Sequence, residues 1–488
     1  MESIVNWLNS VIWSSALVYL CLGAGLYFSL RTRFSQLRNI KEMGSLLLNG
    51  EKSEQGISSF QALCTSLAGR IGTGNIAGVA TAIAVGGPGA IFWMWVIAFL
   101  GAGSAFAEST LSQVYKEEYE GQYRGGPAYY IEKGLGVKWY GILFAIITLI
   151  AVGLFLPGVQ SNSIASGINN AFNISKNIVA IILILILALI IFGGIKRIST
   201  TAEMIVPFMG LAYIIMAVII IVVNIDQLPA VIISIFKAAF GGEELFAGIL
   251  GSTIAIGVKR GVYSNEAGQG TGPHASGAAE VSHPAKQGLV QAFSVYIDTL
   301  FVCSATAFMI LITGTYNVEN GAGGYIIENL PGVEIGPMYT QAAVNNFLPG
   351  FGSAFVAIAL FFFAFTTIMA YYYIAEVNLV YLNKKIFSKR KGNGAKIAIN
   401  VLRIFMLFSV WNGCMKTASL AWTLGDIGVG AMAWLNIIAI LLLSNTAIKC
   451  LKDYEQQRKS GIPREKITFD PVKLGIKNAD FWIKDKEN

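Results

Sequence analysis

Long apolar runs separated by short polar loops are the dominant pattern along this chain. About eleven runs are long enough to cross a hydrocarbon core, since about 20 helical residues at roughly 1.5 Å each span about 30 Å. They lie at approximately 11–30, 61–86, 89–114, 139–163, 177–195, 201–224, 243–268, 286–314, 350–380, 397–414 and 426–447. The pattern predicts an all-α integral membrane protein with about 11 transmembrane helices.

The polar loops predict how the helices are oriented, because Lys and Arg concentrate in alternate loops and the intervening segment 315–349 has neither. The basic loops contain Arg31, Arg33, Arg38, Lys41 and Lys52; Lys116, Arg124, Lys133 and Lys138; Lys196 and Arg197; Lys259, Arg260 and Lys286; and Lys384, Lys385, Lys389, Arg390, Lys391 and Lys396. Basic loops stay in the cytoplasm. We therefore expect a multi-pass protein of the plasma (inner) membrane, with its N-terminus outside and its C-terminus cytoplasmic.

Two of the runs are weakened by glycine near their centres. Gly72, Gly74 and Gly78 interrupt the second run, and further glycines interrupt the seventh run around 251–257. Each glycine costs about 1 kcal/mol relative to alanine in a helix interior. The backbone groups that a broken helix frees must face protein, water or a ligand, since hydrocarbon cannot satisfy them. Both interruptions are therefore candidate binding sites.

The spacing of the two interrupted runs predicts an internal repeat. They lie five spans apart, so they cross the membrane in opposite directions. Interrupted helices at matching positions indicate an inverted-repeat transporter with its site near the bilayer midplane. We expect an extra N-terminal helix and basic loop at 1–59, five-helix repeats at 60–224 and 243–448, and a charged cytoplasmic tail at 449–488.

The first interruption, Gly72-Thr73-Gly74-Asn75, is the strongest candidate for chemistry. Free N–H groups at a half-helix N-terminus suit a substrate carboxylate. The opposing carbonyl groups, with the Asn75 side-chain oxygen, suit a hard cation such as Na⁺. The Gly-x-Gly-x-x-Ala spacing formally fits a dinucleotide-binding fingerprint, but the strand–turn–helix context and the acidic residue of that fingerprint are missing. Close helix packing through the Gly-x-x-x-Gly spacing remains an alternative.

Polar side chains in other apolar runs are further candidates. Thr366 and Thr367 are adjacent hydroxyls in the ninth run; they either bond back to carbonyls of their own helix or coordinate a cation. Gln160 in the fourth run can both donate and accept. It would bind the polar groups of an amino acid or make an interhelical hydrogen bond.

Ionisable side chains at membrane depth are functional candidates by default. Arg70 lies one turn before the first interruption and Asp298 near the middle of the eighth run. The two residues could form a mutual structural pair. Alternatively, Asp298 could couple transport to protons or sodium. We expect Glu108, Glu203 and Glu376 at the cytoplasmic interface.

Composition narrows the function classes. The chain is 55% hydrophobic, with a mean hydropathy of +0.61 and a net charge of +7. The positive charge falls in loops, so it indicates topology and not nucleic-acid binding. The five cysteines form no CxxC pair, and the two histidines, His274 and His283, have no catalytic arrangement around them. We expect no enzyme activity, no cofactor and no obligatory protein partner.

Several long motifs closely resemble the alanine or glycine:cation symporter family over roughly residues 10–450. The motifs are GTGNIAGVATAI, GGPGAIFWMW, GGPAYYIEKGLG, GGIKRIST, VKRGVYSNEAGQGTGPHASGAAEVSHPAKQG and IDTLFVCSATA. The resemblance implies uptake of a small neutral amino acid such as alanine or glycine, coupled to Na⁺ or H⁺ as the co-transported ion. It also implies a leucine-transporter-type 5+5 inverted repeat preceded by one extra helix.

The resemblance also assigns roles to individual residues. Substrate contacts would fall on Thr73, Gly74, Gln160, Ser252, Thr253, Gly257 and Tyr371. A sodium site would use the carbonyls of Ala68 and Ile71 with the hydroxyls of Thr366 and Thr367, and Asn75 matches a position that can serve a second sodium.

Two departures from the family pattern keep the substrate and the mechanism open. Tyr371 stands where relatives can have tryptophan, and GQGTGPH stands where many have GLGSAP. A resized pocket would favour a larger amide such as glutamine. Uptake coupled to protons would use the same site, and an amino acid receptor that does not transport would need only the binding pocket.

Overall fold

The structure is a computed structural model that describes residues 2–48, 53, 56–242, 244–386 and 394–484. Four basic residues that entered the orientation prediction, Lys52, Lys389, Arg390 and Lys391, lie outside these described residues.

Helices dominate the described part of the chain. The first twelve α-helices are α1 (Glu2–Ile12), α2 (Ser15–Arg31), α3 (Ser35–Arg38), α4 (Ile40–Leu48), α5 (Ser59–Arg70), α6 (Val79–Gly86), α7 (Gly89–Val114), α8 (Pro127–Leu135), α9 (Lys138–Ile150), α10 (Leu156–Phe172), α11 (Lys176–Ile191) and α12 (Gly194–Val223). The others are α13 (Leu228–Ala239), α14 (Leu250–Asn265), α15 (Gly272–Ala278), α16 (Pro284–Tyr296), α17 (Ser304–Thr313), α18 (Pro337–Phe347), α19 (Gly352–Ile386), α20 (Gly394–Met415), α21 (Ala418–Leu442), α22 (Ser444–Lys459) and α23 (Asp480–Lys484).

Short segments of other structure connect or interrupt these helices. The π-helical segments are Gly74–Gly78, Ala151–Phe155 and Ile297–Cys303, and the 3₁₀ segments are Glu244–Ile249 and Arg464–Lys466. Two small antiparallel hairpins pair β1 (Glu117–Tyr119) with β2 (Gln122–Arg124), and β3 (Asn317–Glu319) with β4 (Tyr325–Glu328).

Nine helical segments of the described residues are long and apolar enough to cross a membrane. They are Glu2–Arg31, Gly89–Val114, Lys138–Phe172, Gly194–Val223, Leu245–Asn265, Pro284–Thr313, Gly352–Ile386, Lys396–Met415 and Ala418–Leu442. Gly74–Gly86, Lys176–Ile191 and Leu228–Ala239 are shorter apolar helices. These segments confirm the prediction of a mostly helical, multi-pass membrane protein. The helix Leu228–Ala239 is not among the predicted runs, since its 12 residues are too few to cross a bilayer.

Helix α7 packs against α2, α13, α14 and α16. Its small residues allow this close approach. A Cβ on Gly103 would lie 3.2 Å from the Phe28 Cβ, and a Cβ on Gly89 would lie 2.5 Å from the backbone of Ala238. In lipid the hydrophobic effect does not drive helices together, and small residues favour packing because they let the helix backbones approach closely.

The second apolar run is interrupted as predicted. Helix α5 ends at Arg70, Ile71 and Gly72 are non-helical, and a π-helical turn follows before α6 begins. We call Ile71–Gly72 the first break.

The predicted interruption at 251–257 is wrong, because α14 continues through these residues to Asn265. The second break lies at 266–271. Glu266 adopts a left-handed conformation (φ 57°), and Gly268 and Gly270 also have positive φ. Gly257 serves packing instead, since a Cβ there would lie 2.6 Å from the Ala90 carbonyl oxygen.

The polar tail is folded against the bundle. Phe469 and Trp482 are buried, and the indole of Trp482 donates to the carbonyl of Gln113 at 2.9 Å. Asn478 donates to the carbonyl of Lys133 at 2.8 Å. The tail therefore packs on the ends of α7 and α8.

Candidate functional site

Oxygen atoms converge at the first break, where α19 crosses the end of α5. The hydroxyl of Thr367 lies 2.8 Å from the Ala68 carbonyl oxygen and 3.4 Å from that of Ile71. Both carbonyls lie at the C-terminal end of α5, where helical partners run out. The structure thus brings together three of the predicted sodium ligands. The hydroxyl of Thr366 bonds back to the Phe363 carbonyl at 2.9 Å, as the alternative interpretation expected, and the Thr367 hydroxyl also lies 3.0 Å from that carbonyl.

Two backbone N–H groups on the other side of the first break donate to side-chain oxygens. Gly72 N–H donates to Asn75 Oδ1 at 2.8 Å, and Thr73 N–H donates to Gln160 Oε1 at 3.0 Å. The break requires glycine, since a Cβ on Gly72 would lie 2.5 Å from Thr367 Oγ1 and 3.0 Å from Gln160 Oε1. Carbonyl oxygens and N–H groups are therefore both presented within one short segment.

The carboxylate of Asp298 is buried beside this segment. It accepts hydrogen bonds from Asn75 Nδ2 at 2.6 Å, from Thr299 Oγ1 at 2.7 Å and from Ser264 Oγ at 3.0 Å. Asn75 therefore contacts both the first break and the buried acid. Neutral donors surround the carboxylate, which leaves its negative charge without a direct cationic partner among the described residues.

The predicted mutual pair between Arg70 and Asp298 is wrong, because Arg70 donates elsewhere. Its Nη1 bonds to the Gln291 carbonyl at 3.1 Å and to the hydroxyl of Ser294. Its Nε and Nη2 have no protein hydrogen-bond acceptor within the described residues. Arg70 is nevertheless buried, and both of its hydrogen-bond acceptors lie on α16.

Two carboxylates that the sequence analysis did not assign to the site meet at the second break. Glu108 on α7 accepts from Gly268 N–H at 3.2 Å and from Asn436 Nδ2 at 2.7 Å. Glu108 therefore contacts the second break, a role that the sequence analysis did not give it. Glu266 accepts from the Thr271 hydroxyl at 2.8 Å and also interacts with the Tyr371 hydroxyl.

The two breaks lie against one another. A Cβ on Gly74 would lie 3.1 Å from the Ser264 Cα, and a Cβ on Gly69 would lie 3.2 Å from Glu266 Oε2. Tyr371 lies on the same helix as Thr367, four residues further on, so α19 contacts both breaks. The site therefore combines oxygen ligands, non-helical backbone N–H groups and buried carboxylates in one region.

Three predicted substrate residues lie in a helix contact instead. The hydroxyl of Ser252 lies 3.4 Å from the Val85 carbonyl, and that of Thr253 donates to the Gly86 carbonyl at 2.8 Å. Gly257 packs against α7. These residues lie in an unbroken helix, so they do not form the helix break that the sequence analysis expected.

Comparison with known proteins identifies the family of the chain. A family model described as the sodium:alanine symporter family matches residues 1–468. The putative sodium/proton-dependent alanine carrier protein YrbD of Bacillus subtilis (strain 168) is 61% identical over 485 residues, covering 99% of this chain and 98% of its own. The sodium/proton-dependent alanine carrier protein of Bacillus sp. (strain PS3) is 53% identical over 438 residues, covering 90% and 96%.

A solved structure has the same fold. It is a substrate-bound, outward-open Na⁺-coupled sialic acid symporter with a TM-score of 0.51 and 13% identity, and the match covers 93% of this chain and 92% of that one. A sequence identity of 13% supports a shared fold and nothing beyond it. The family model and the two carriers, by contrast, match nearly the entire chain, and the chain belongs to the sodium:alanine symporter family.

Proposed function

We propose that this protein is a secondary active symporter that couples inward Na⁺ movement to the uptake of alanine or glycine by alternating access. The observation that carries the proposal is the cluster formed by the Ala68 and Ile71 carbonyls with the Thr367 hydroxyl. Carbonyl groups at the end of a half-helix are the groups that coordinate sodium in discontinuous-helix transporters.

Sodium would bind between α5 and α19. The Thr367 proton that now bonds to the Ala68 carbonyl would rotate away, leaving three oxygens facing one cation. Thr366 would join them only if its hydroxyl left the Phe363 carbonyl. The ion would therefore hold the end of α5 against α19.

The substrate carboxylate would bind the N–H groups of the first break. Gly72 and Thr73 N–H now donate to side-chain oxygens, and a carboxylate would take the place of Gln160 or Asn75 as the acceptor. Gly74 would allow close approach. Tyr371 would face the substrate from α19, beside the Glu266 carboxylate. With α14 unbroken at Ser252, Thr253 and Gly257, the second half of the site would be 266–271 instead.

Asp298 would act as the coupling group, taking either a second Na⁺ or a proton. Its link to the first break through Asn75 supports this role, since an ion there would reposition the amide that caps Gly72. Binding of ion and substrate would then favour one another, by a coupling typically of about 1–3 kcal/mol. Arg70 would balance the buried acids from a distance.

The same proposal includes the finer architecture. Five-helix repeats at 60–224 and 243–448 would follow one extra helix, giving about eleven spans with the N-terminus outside and the tail in the cytoplasm. A broken helix in each half supports this repeat. The small neutral substrate, Na⁺ and the bilayer would be the only obligatory partners.

The test is uptake of labelled alanine by the purified protein in liposomes under an inward Na⁺ gradient. Replacing Na⁺ by choline at fixed pH separates sodium from proton coupling. Competition by glycine, D-alanine and glutamine separates the substrates, and glutamine as the best competitor would favour the larger pocket. Binding without counterflow would contradict transport and favour a receptor.

A further inference from the structure

A cavity of about 360 Å³ opens where two spanning helices end on the same side of the bundle. The hydroxyls of Tyr27 near the end of α2 and Ser444 at the start of α22 are 3.0 Å apart, and Arg31 donates to Asn445 at 2.9 Å. The cavity lies between the turn after α2 and one face of α22. Its volume is within the range of about 300–1,000 Å³ that is usual for small-molecule sites.

The walls of this cavity carry an excess of positive charge. The charged lining residues, which we call the basic pocket, are Arg31, Arg33, Arg38, Lys452, Lys459 and the single carboxylate Glu455. Arg38 pairs with Glu455 at 2.9 Å. Within the described part of the chain, Arg33, Lys452 and Lys459 have no ion-pair partner. The protein therefore leaves the positive charge of the pocket to be neutralised by something else.

Apolar surface adjoins the basic pocket on two sides. Ile448 and Leu451 form part of its lining. Leu30, one residue before Arg31, is 57% exposed, and Leu37, one residue before Arg38, is 50% exposed. Exposed leucines next to Arg31 and Arg38 are the arrangement expected at the boundary between hydrocarbon and headgroups. A soluble anion would gain nothing from these side chains.

We propose that the basic pocket binds the phosphate headgroup of an anionic phospholipid, whose acyl chains lie along the exposed face of α2. Basic pockets between helices on the inner side of a membrane recognise such headgroups. The arginines would contact phosphate oxygens in a forked geometry, and Lys452 and Lys459 would add charge from α22. The lipid would connect the first spanning helix to the folded tail. This inference rests on the proposed cytoplasmic position of the tail, and it does not depend on the proposed transport activity.

The pocket can be tested on the full-length protein in detergent by native mass spectrometry with added lipid. The probes are phosphatidylglycerol, phosphatidylcholine with the same acyl chains, and soluble glycerol phosphate. The pocket variant is Arg33→Gln/Lys452→Gln/Lys459→Gln. The matched control, Lys138→Gln/Lys196→Gln/Lys237→Gln, also removes three positive charges, but at exposed positions outside the pocket.

We expect the wild-type protein to retain phosphatidylglycerol in preference to phosphatidylcholine. The pocket variant should lose roughly tenfold in affinity for phosphatidylglycerol, and the control variant less than about twofold. Equal losses in the two variants would overturn the proposal, because net charge alone would then explain binding. Displacement of the lipid by glycerol phosphate at similar concentration would also overturn it, in favour of a soluble anion.

A second variant tests the pocket in the opposite direction, without depending on the stability of the triple substitution. Glu455→Gln removes the only carboxylate of the basic pocket and releases Arg38. We expect tighter binding of phosphatidylglycerol and unchanged binding of phosphatidylcholine. Weaker or unchanged binding of phosphatidylglycerol would contradict the assignment.

Discussion

The hydroxyl of Thr367 lies 2.8 Å from the carbonyl oxygen of Ala68, although the two residues are 299 positions apart in the chain. This contact joins the long helix α19 to the end of α5 at the first break. An ion bound between these oxygens, with the hydroxyl proton turned away, would connect the same two helices, and loss of the ion would free them. The position of Thr367 is therefore a direct link between ion binding and helix movement.

Substitution of Thr367 by valine should weaken sodium binding, because it removes the hydroxyl and keeps the shape. We expect the Na⁺ concentration for half-maximal alanine uptake to rise at least about tenfold, equivalent to about 1.4 kcal/mol. Thr367→Ser should stay close to wild type. Thr366→Val is the matched control, since the Thr366 hydroxyl bonds to its own helix and, unlike that of Thr367, not to α5. An unchanged sodium dependence in Thr367→Val liposomes would remove the proposed ion site.

Replacement of Gly72 by alanine should damage the first break directly. The added methyl group would lie 2.5 Å from Thr367 Oγ1, which is closer than Cβ contacts allow, and 3.0 Å from Gln160 Oε1, which is tighter than most Cβ contacts. We expect uptake to fall by at least about tenfold, as overpacking of a tight site typically costs about 1–3 kcal/mol. Gly23→Ala, which meets nothing within 4 Å, is the control for a helical glycine. Full activity in Gly72→Ala would contradict the geometry of the break.

Asp298→Asn should abolish the gradient-driven accumulation of alanine without abolishing alanine exchange across the membrane. The substitution removes the buried charge and leaves an oxygen that Ser264 and Thr299 can still use as acceptor. If Asp298 carries the coupling ion, gradient-driven accumulation of alanine should be lost while alanine counterflow persists. Both can be measured in one preparation of liposomes. Persisting accumulation with normal Na⁺ and pH dependence would show that the ion is carried elsewhere.

Much of the first break could be predicted from the sequence because its signals are local. Three glycines within seven residues mark the weak helix, and Asn75 follows within the same turn. The family resemblance groups Gln160 and Thr367 with this segment, and the structure shows both bonded to it. Spacing alone could not have found them, since both partners lie far away in the chain.

The second break is misplaced by the sequence analysis because glycine has two uses in a membrane helix. Around 251–257 it allows contact with α7, as the closeness of Gly257 to Ala90 demonstrates. The real interruption lies in NEAGQGTG, where Gly268 and Gly270 adopt positive φ. The cluster of glycines there was a usable signal. The role of Glu108 was not predictable, since its partner Asn436 is 328 residues away.

The docked tail adds a titratable contact outside the membrane-spanning segments. His283 is buried at the start of α16, with its ring packed against Tyr454 and Phe469. Ala285 N–H donates to His283 Nδ1 at 3.1 Å, and Nε2 lies 3.3 Å from the Asp453 carboxylate. Since Nδ1 accepts a hydrogen bond, this arrangement suits the neutral ring with its proton on Nε2.

Acidification should therefore destabilise the protein through His283. Burial lowers the pKa of His283 below its ordinary value of 6.5, so the folded state binds fewer protons than the unfolded state. Its contribution to stability is present above about pH 6.5 and is lost as the pH falls below that value. The hydrogen bond from His283 lowers the pKa of Asp453 below 3.8, so the contribution of Asp453 is lost only in stronger acid.

The measurement is the thermal unfolding midpoint between pH 7.5 and pH 5.5 in detergent. We expect the midpoint to fall on acidification in the wild-type protein and to fall less in His283→Gln, whose amide can accept from Ala285 and donate to Asp453 without titrating. His274→Gln is the comparison at the other histidine, which is also buried but lies against α19 and not the tail. If His283→Gln lost as much stability on acidification as the wild type, the contact between α16 and the tail would not be the pH-sensitive element.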